Sequence, residues 1–373
     1  MLEVKMMSER QFSVSIIGCG NRGAETYGRL MAAQSDKFKI AALYDIDPEA
    51  VKKYSKIFNT DNIYLDEDEF FQKRHSDALV IASMDQDHVR QCVKAMELGY
   101  DILLEKPIAS NEEDCLTLLR EYKKRGNKIM VCHVLRYAPA FNKVKELISS
   151  GEYGKLIMID SCEQVGYWHQ AHSFVRGNWR NDAISPMILQ KCCHDLDLLQ
   201  YYAESKADSL SSIGELKHFN KQNQPSDASD RCVDCKYIDS CPYSAKNIYI
   251  KRWKEAGSPE NLWPYNMLTK EIPLTEANLT KALEEGPYGR CVYACDNNVV
   301  DHQAVSITFE NGVKALHKMI AFTSDGGRIM NFYCERGQIE LNETRGTIEI
   351  RPFGKSEEKI YINQIIEQGH SHG

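Results

Sequence analysis

The sequence predicts an α/β protein with an N-terminal Rossmann domain, a doubly wound parallel sheet, and a C-terminal α+β domain carrying an open, mostly antiparallel sheet. Three observations lead to this fold class. The chain has 373 residues, which is more than one compact core of ordinary size holds. Up to about residue 134, short apolar runs alternate with amphipathic stretches, and strand-like runs predominate afterwards. We therefore expect domains at 1–134 and 135–373.

In the first domain the alternation predicts right-handed crossovers and a sheet covered by helices on both faces. The predicted strands are residues 12–17, 39–44, 77–82, 101–105 and 128–131. The predicted helices are residues 24–34, 48–58, 86–98 and 110–125. Pro48 suits the first turn of its helix, and Ser110 with Glu113 predicts a capping box for the last one.

In the second domain two helices precede a series of strands. The predicted helices are residues 139–149 and 185–202, and the predicted strands are residues 156–165, 209–219, 305–310, 313–322, 329–334 and 338–350. Hairpin turns are expected at 311–312 and 344–346, where glycine permits the turn. Residues from about 220 to 300 are polar and rich in Asn, Ser, Pro and Cys, and we interpret them as an insertion.

Composition excludes several classes of protein. A net charge of −7 and a pI near 5.9, with no long basic run, argue against nucleic acid or an anionic membrane surface as a partner. No apolar stretch is long enough for a membrane span. Residues 1–10 lack the apolar core of a signal peptide, so the thirteen cysteines are expected to be reduced thiols in the cytoplasm.

A glycine-rich turn follows the first predicted strand and opens the first helix. It reads Gly18-Cys-Gly20-Asn21-Arg22-Gly23, the G-x-G-x-x-G spacing of a dinucleotide site. The glycines allow a tight turn and close backbone approach to a pyrophosphate, which the helix N-terminus attracts. Asp45 ends the second strand, where a carboxylate accepts ribose hydroxyl groups and repels a 2′-phosphate. NAD is therefore the expected cofactor, and Arg22 keeps NADP open.

Four further motifs follow in order along the chain: Ala82-Ser-Met-Asp-Gln-Asp-His88, Glu105-Lys106-Pro107, Arg136-Tyr137-x-Pro139 and Ser150-Gly151-x-x-Gly154-Lys155. Together they resemble the Gfo/Idh/MocA family of sugar and polyol oxidoreductases, over nearly the whole chain. The resemblance implies cofactor-binding roles for Ser83, Met84, His88, Glu105, Lys106 and Pro107. It also implies that the bond before Pro107 is cis, and that the open sheet builds a homodimer or homotetramer.

Oxidation of a secondary alcohol requires a group that takes the hydroxyl proton, while the nicotinamide takes the hydride. His194 is the first candidate base, because the family carries His-x-x-Asp where His194 and Asp197 stand. Lys106 is the second, as a base, a proton relay or a fixed cation. Where the family usually has an aspartate four residues before the histidine, this chain has Gln190, which does not titrate.

Substrate contacts are also implied by the resemblance. The residues expected to line the cleft are Arg136, Trp179, Arg180, Lys191 and Asp197. Trp179 and Arg180 are suited to stacking on a sugar or binding its hydroxyl groups.

Cysteines are concentrated in the predicted insertion. Cys232, Cys235 and Cys241 lie close in sequence, and Cys291 comes near the end of the segment. Three thiolates with a fourth brought in later suit tetrahedral zinc, which would clamp a segment with few apolar residues. We therefore predict a structural zinc site, with an iron–sulfur cluster as the alternative.

Three functions remain open on the sequence. The first is an NAD(P)-dependent dehydrogenase acting on a sugar, cyclitol or related polyol. The second is a glycosidase that retains NAD and oxidises its sugar transiently, which the change at Gln190 keeps open. The third is a nucleotide-binding sensor without catalysis.

Overall fold

The computed structural model describes residues 10–367, and the chain divides into two compact units between His133 and Val134. Residues 1–9, on which the prediction about a signal peptide depended, lie outside this range. Both predicted sheets are confirmed, one parallel with six strands and one mostly antiparallel with eight.

All six strands of the first unit are parallel, in the order β3-β2-β1-β4-β5-β6. They are β1 Phe12–Ile17, β2 Phe38–Tyr44, β3 Ile63–Tyr64, β4 Ala78–Ile81, β5 Asp101–Leu104 and β6 Ile129–Val131. The helices are α1 Arg29–Ala32, α2 Pro48–Phe58, α3 Glu67–Phe70, α4 His88–Glu97 and α5 Glu112–Arg125. Asn21–Gly28 forms π-helical turns that lead into α1, and Asp85–Asp87 is a 3₁₀ turn.

Local sequence accounts for most of these bounds. Pro48 occupies the first turn of α2, and the Asp47 carboxylate caps it by accepting the N–H of Glu49. For α5 the predicted capping box at Ser110 is wrong by one residue. Asn111 is the cap and accepts the N–H of Asp114, because its amide oxygen reaches the third N–H of the helix.

The sheet of the second unit has the order β14-β13-β12-β11-β7-β10-β9-β8. Its strands are β7 Leu156–Gln164, β8 Ala207–Glu215, β9 His302–Phe309, β10 Lys314–Ile320, β11 Gly327–Cys334, β12 Gly337–Asn342, β13 Thr347–Pro352 and β14 Glu358–Tyr361. Every neighbouring pair is antiparallel except β7 and β10 at the centre, which are parallel.

Helices in the second unit are α6 Pro139–Ser149, α7 Tyr167–His169, α8 Met187–Gln190, α9 Cys193–Ala203, α10 Arg252–Glu255, α11 Glu276–Glu285 and α12 Ile362–Glu367. Gln170–Arg176 and Lys246–Lys251 are π-helical, and Val134–Tyr137, Lys221–Asn223, Tyr265–Met267 and Pro287–Gly289 are 3₁₀ turns. Phe141 of α6 and Tyr202 of α9 belong to one buried cluster with Phe332 of β11, so these two helices cover the sheet.

One predicted helix is divided. Residues 185–202 form α8 and α9, separated at Lys191 and Cys192. At this break the Lys191 Nζ lies 2.8 Å from Glu163 Oε1 on β7. The local sequence pattern does not predict this tertiary contact. Within residues 10–367, no helix is long and apolar enough to span a membrane.

Candidate active site

The glycine turn between β1 and the first helix is built for close backbone approach. Gly18 has φ +89°, a region that L side chains rarely adopt, and a Cβ there would lie 2.3 Å from the Ala82 carbonyl oxygen. A Cβ on Gly23 would lie 2.0 Å from the Gly18 carbonyl oxygen, whereas one on Gly20 meets nothing within 4 Å. The helix has no side-chain cap at Gly20, so its first N–H groups suit an external anion.

Asp45 stands at the end of β2, beside this turn. Its Oδ2 accepts the N–H of Cys19 at 2.6 Å, and its Oδ1 accepts the N–H of Asp47 at 2.8 Å. Both oxygens keep a second lone pair, so the carboxylate is oriented and can still accept ribose hydroxyl groups. Burial, and then the charge of Asp45, raise the pKa of Cys19 to about 12, which keeps it a thiol.

Glu105 follows β5 and is 5% exposed. Its Oε1 accepts the hydroxyl of Tyr27 at 2.6 Å and lies 3.8 Å from Arg22 Nε, while its Oε2 accepts the N–H of Lys106 at 3.0 Å. Burial, and then Glu105, raise the pKa of Tyr27, so its phenol stays protonated and donates. Glu105 is thereby fixed between the glycine-turn helix and β5. Sequence reasoning missed Tyr27, for which no motif gave a signal.

The bond between Lys106 and Pro107 is cis, as the resemblance implied. His88 lies buried at the start of α4, with Nδ1 2.7 Å from the Pro107 carbonyl oxygen. Because a carbonyl only accepts, Nδ1 carries the proton. Ser83 donates to Gln91 Oε1 at 2.6 Å, and Met84 directly precedes the 3₁₀ turn at Asp85–Asp87. These contacts shape the segments that leave the carboxyl ends of β4 and β5.

The two candidate catalytic residues lie in different units. Lys106 belongs to the first unit, and His194 lies in the first turn of α9 in the second. Gln190 ends α8 and is buried. Lys191, which was expected to contact substrate, is paired with buried Glu163. The segment around His194 is thus held against β7.

Arg136 and Asp197, both predicted to contact substrate, contact each other. Arg136 Nε and Nη2 donate to the two Asp197 oxygens at 2.7 and 2.6 Å. This bidentate contact is the chief cause that raises the pKa of Arg136. The guanidinium also lies 4.9 Å from the ring centre of Tyr201. Arg136 consequently fastens the start of the second unit to the helix that carries His194.

Trp179 and Arg180 follow the π-helical segment at Gln170–Arg176. Trp179 has its ring 6.5 Å from that of Phe174. Arg180 Nε donates to Asp296 Oδ1 at 2.9 Å, and Arg290 donates to the same oxygen at 2.7 Å. The two guanidinium groups lower the pKa of Asp296. Arg180 is part of this surface network, which sequence reasoning did not anticipate.

A network of buried charges lies next to His194. Arg328 of β11 donates to both oxygens of Asp195, at 2.8 and 3.1 Å, and its Nη2 lies 2.9 Å from Glu163 Oε2. The side chains of Asp195 and Glu163 are each 1% exposed. Nothing in the local sequence signalled this network, because its members come from β7, α9 and β11.

Within residues 10–367, one group of three possible metal ligands has its ligand atoms within 4.8 Å of one another, formed by Cys192, Asp195 and His317. Asp195 is already held by Arg328, which argues against a cation at that place. The predicted zinc ligands Cys232, Cys235, Cys241 and Cys291 line one common cavity, but they do not form such a group.

Comparison with known proteins agrees with this architecture. Residues 12–133 match the model of an oxidoreductase family with an NAD-binding Rossmann fold, GFO_IDH_MocA, and residues 145–372 match the model of its C-terminal alpha/beta domain. The chain belongs to the Gfo/Idh/MocA family. The recognition made from the sequence motifs is confirmed.

Among its relatives, YteT of Bacillus subtilis (strain 168) is 22% identical over 92% of this chain and 81% of its own length. The inositol 2-dehydrogenase of Corynebacterium glutamicum (strain R) is 26% identical, over 54% of this chain and 57% of its own. A 2,7-anhydro-N-acetylneuraminate hydratase of Mediterraneibacter gnavus is 26% identical, over 54% and 51%. The chain therefore matches these last two over little more than half of their length.

Solved structures share the fold. A levoglucosan dehydrogenase in complex with NADH and L-sorbose superposes with a TM-score of 0.66 at 15% identity, covering 94% of this chain and 80% of the other.

Proposed function

We propose that this protein is an NAD-dependent oxidoreductase that transfers a hydride between the nicotinamide and a secondary alcohol of a sugar, cyclitol or related polyol. The observation that carries the proposal is the glycine cradle at 18–23, where a Cβ at Gly18 or Gly23 would collide with backbone. Membership of an oxidoreductase family with an NAD-binding domain supports it. So do relatives named inositol 2-dehydrogenase and a structural neighbour named levoglucosan dehydrogenase.

NAD fits the residues present better than NADP. The cradle suits a pyrophosphate, and Asp45 is oriented by two backbone N–H groups so that it presents an anionic edge. An anion at this place favours ribose hydroxyl groups over a 2′-phosphate. Bound NAD would supply the hydride acceptor, and the remaining tasks belong to the protein.

Those tasks are to orient the alcohol and to take its proton. We assign the proton transfer to His194 and the stabilisation of the substrate oxygen to Lys106. The Arg136–Asp197 contact and the buried Arg328 network hold α9, so they would fix the direction in which His194 points. Tyr27 holds the Glu105 carboxylate in place by a hydrogen bond, and Glu105 would in turn orient the nicotinamide ribose.

The test is a panel of polyols, cyclitols and aldoses assayed with NAD by the absorbance of the reduced cofactor. For the substrate found, we expect Lys106→Ala and His194→Ala each to lower kcat by about 10²–10⁴-fold. Lys124→Ala, at an exposed position of α5, is the matched control and is expected to leave kcat unchanged. Tight NAD binding without turnover of any alcohol would refute the dehydrogenase and leave the sensor hypothesis.

A second candidate, an NAD-retaining glycosidase or lyase, is favoured by one observation. Buried Gln190 stands where the family usually has a titrating aspartate, and one relative is named a hydratase, a reaction without net redox change. This candidate predicts conversion of a glycoside or anhydro sugar with no accumulation of NADH. The dehydrogenase predicts one NADH for each alcohol oxidised.

The oligomeric state and the cellular location stay predictions. Light scattering on the purified chain would test the expected homodimer or homotetramer. Cell fractionation would test the expected location in the cytoplasm.

A further inference from the structure

Four cysteines of the second unit surround one cavity. Cys232, Cys235, Cys241 and Cys291 all line a space of about 210 Å³ in the segment between β8 and β9. The rest of its wall is mainly apolar or aromatic and includes Tyr243. None of these cysteines is in a disulfide.

Backbone hydrogen bonds hold the four cysteines on adjoining turns and segments around this cavity. Arg231 and Arg290 form an antiparallel bridge, so Cys232 and Cys291 each directly follow a paired residue on neighbouring chain segments. Cys232 N donates to the Gly289 carbonyl at 2.9 Å. Tight turns then place the other two: Cys235 N donates to the Cys232 carbonyl, and Cys241 N donates to the Tyr237 carbonyl.

A buried cation lies against this cavity. Arg176 is 1% exposed, and its Nη2 lies 3.6 Å from Cys232 Sγ and 2.8 Å from the Tyr243 carbonyl oxygen. Its Nη1 is buried and has no hydrogen-bond partner among residues 10–367. Within that same range Arg176 has no carboxylate in any ion pair, so the negative charge that a buried guanidinium requires is missing from the protein side chains.

A metal centre bound by four thiolates carries a net negative charge, and such a centre in the cavity would supply the counter-charge that Arg176 lacks.

The spacing of the sulfurs distinguishes one metal ion from a cluster. A single zinc ion holds thiolates at about 2.3 Å, which puts the sulfurs about 3.8 Å apart and leaves no space between them. Here the cavity that the four cysteines line has a volume of about 210 Å³, which exceeds the space that one ion occupies, and no three of their sulfurs fall within 4.8 Å of one another. A four-iron cluster bound by Cys₄ uses one cysteine for each iron and so needs wider spacing.

We propose that Cys232, Cys235, Cys241 and Cys291 bind a [4Fe–4S] cluster that fastens the segment between β8 and β9. Arg176 donates toward Cys232, and Gln224 Nε2 lies 3.9 Å from Cys291 Sγ, so polar hydrogens face two of the ligand sulfurs. The aromatic wall shields the cluster from water. This site is separate from the cofactor site at 18–23. The proposal therefore does not depend on which reaction the protein catalyses.

The experiment uses the full chain, purified without oxygen and then incubated with ferric iron, sulfide and a thiol reductant. Four ferric ions and four sulfides form [4Fe–4S]²⁺ by taking up two electrons, which two thiols of the reductant supply as they join in a disulfide. We expect about four iron and four sulfide per chain after desalting, with the visible charge-transfer absorption of an iron–sulfur cluster. Cys232→Ser and Cys235→Ser are each expected to lose most of the iron and sulfide. Cys115→Ser, an exposed cysteine of α5, is the matched control and is expected to retain both.

Hydrogen exchange of the amides in β7 and β11 shows whether the second unit of each variant is folded, because these strands lie at the centre of its sheet. A variant whose strands exchange as slowly as those of the wild type but that does not bind iron supports the proposal. If Cys232→Ser fails to fold, the part-exposed Cys235→Ser and removal of iron from the wild type by a chelator replace it.

Other results would refute the cluster. One zinc per chain without sulfide would establish the mononuclear site instead, and neither metal binding would exclude both. Iron and sulfide retained in the serine variants would also overturn the assignment.

Discussion

Replacing Arg328 by methionine tests the buried network beside His194. Arg328 is the shared partner of two carboxylates that are each 1% exposed, Asp195 and Glu163. Glu163 keeps Lys191 at 2.8 Å after the change, whereas Asp195 loses its bidentate partner. Removing one partner of a buried pair costs about 3–5 kcal/mol, so we expect the eight-stranded sheet to lose that much stability.

Hydrogen exchange of the amides in β7 and β11 measures this loss directly, since those strands lie at the centre of the sheet. A loss of 3–5 kcal/mol predicts exchange that is roughly 200- to 5,000-fold faster. Arg351→Met is the control. The Arg351 side chain is 34% exposed, and Glu349 keeps Lys359 at 2.8 Å after the change, so we expect a loss of about 1 kcal/mol or less.

The double variant Arg328→Met with Asp195→Asn separates charge from packing. Because the uncompensated carboxylate is gone, we expect it to exchange more slowly than Arg328→Met alone. If Arg328→Met changes exchange by less than about tenfold, the reasoning about buried charge is wrong.

Three other changes have definite expected outcomes. Gly23→Ala puts a Cβ 2.0 Å from the Gly18 carbonyl oxygen, so calorimetry should show NAD affinity at least about tenfold weaker. The Cβ added by Gly20→Ala meets no protein atom within 4 Å, so this variant should keep the melting temperature of the wild type. Asp45→Ser removes an anion whose repulsion of a 2′-phosphate is worth about 1–4 kcal/mol, so the ratio of NADP to NAD affinity should rise at least about tenfold, and an unchanged ratio would count against the role of Asp45. Burial, and then the charge of Arg176, lower the pKa of His172 from 6.5 to about 3; the unfolded chain therefore takes up the proton first, and stability is lost as pH falls below 6.5. Urea unfolding at pH 7 and 4.5 should show the wild type losing about 2–3 kcal/mol more than His172→Gln, and equal losses would contradict the burial argument.

Local chemistry made much of the first unit predictable. The bounds 12–17 and 48–58 agree with the structure, because an apolar run and a proline at the first helical turn act within a few residues. The two-residue strand Ile63–Tyr64 was missed, since so short a segment has no periodicity. Helix α11 in the predicted insertion was also missed, although Thr275 and Asn278 form a capping box that the sequence displays.

The sites were predictable only in part. The glycine turn and Asp45 were found because their spacing reflects what a dinucleotide requires. The Tyr27–Glu105 contact and the Arg328 network were not, because partners 78 and 133 residues apart leave no local pattern. The roles of Lys106 and His194 stay predictions. The zinc site stays a prediction, and only the structure shows that its four cysteines line one cavity.

The parallel pairing of β7 with β10 has a consequence for biosynthesis. Ser161 on β7 meets His317 on β10, 156 residues later in the chain. At about 5–20 residues per second, a ribosome needs roughly 8–30 s to make that stretch. All strands of the first sheet have been synthesised by residue 131, so that unit can fold while the nascent chain still grows. The strand at the centre of the second sheet must wait, and during this interval its backbone N–H and C=O groups lack their native partners, so a chaperone would protect it from pairing with other chains.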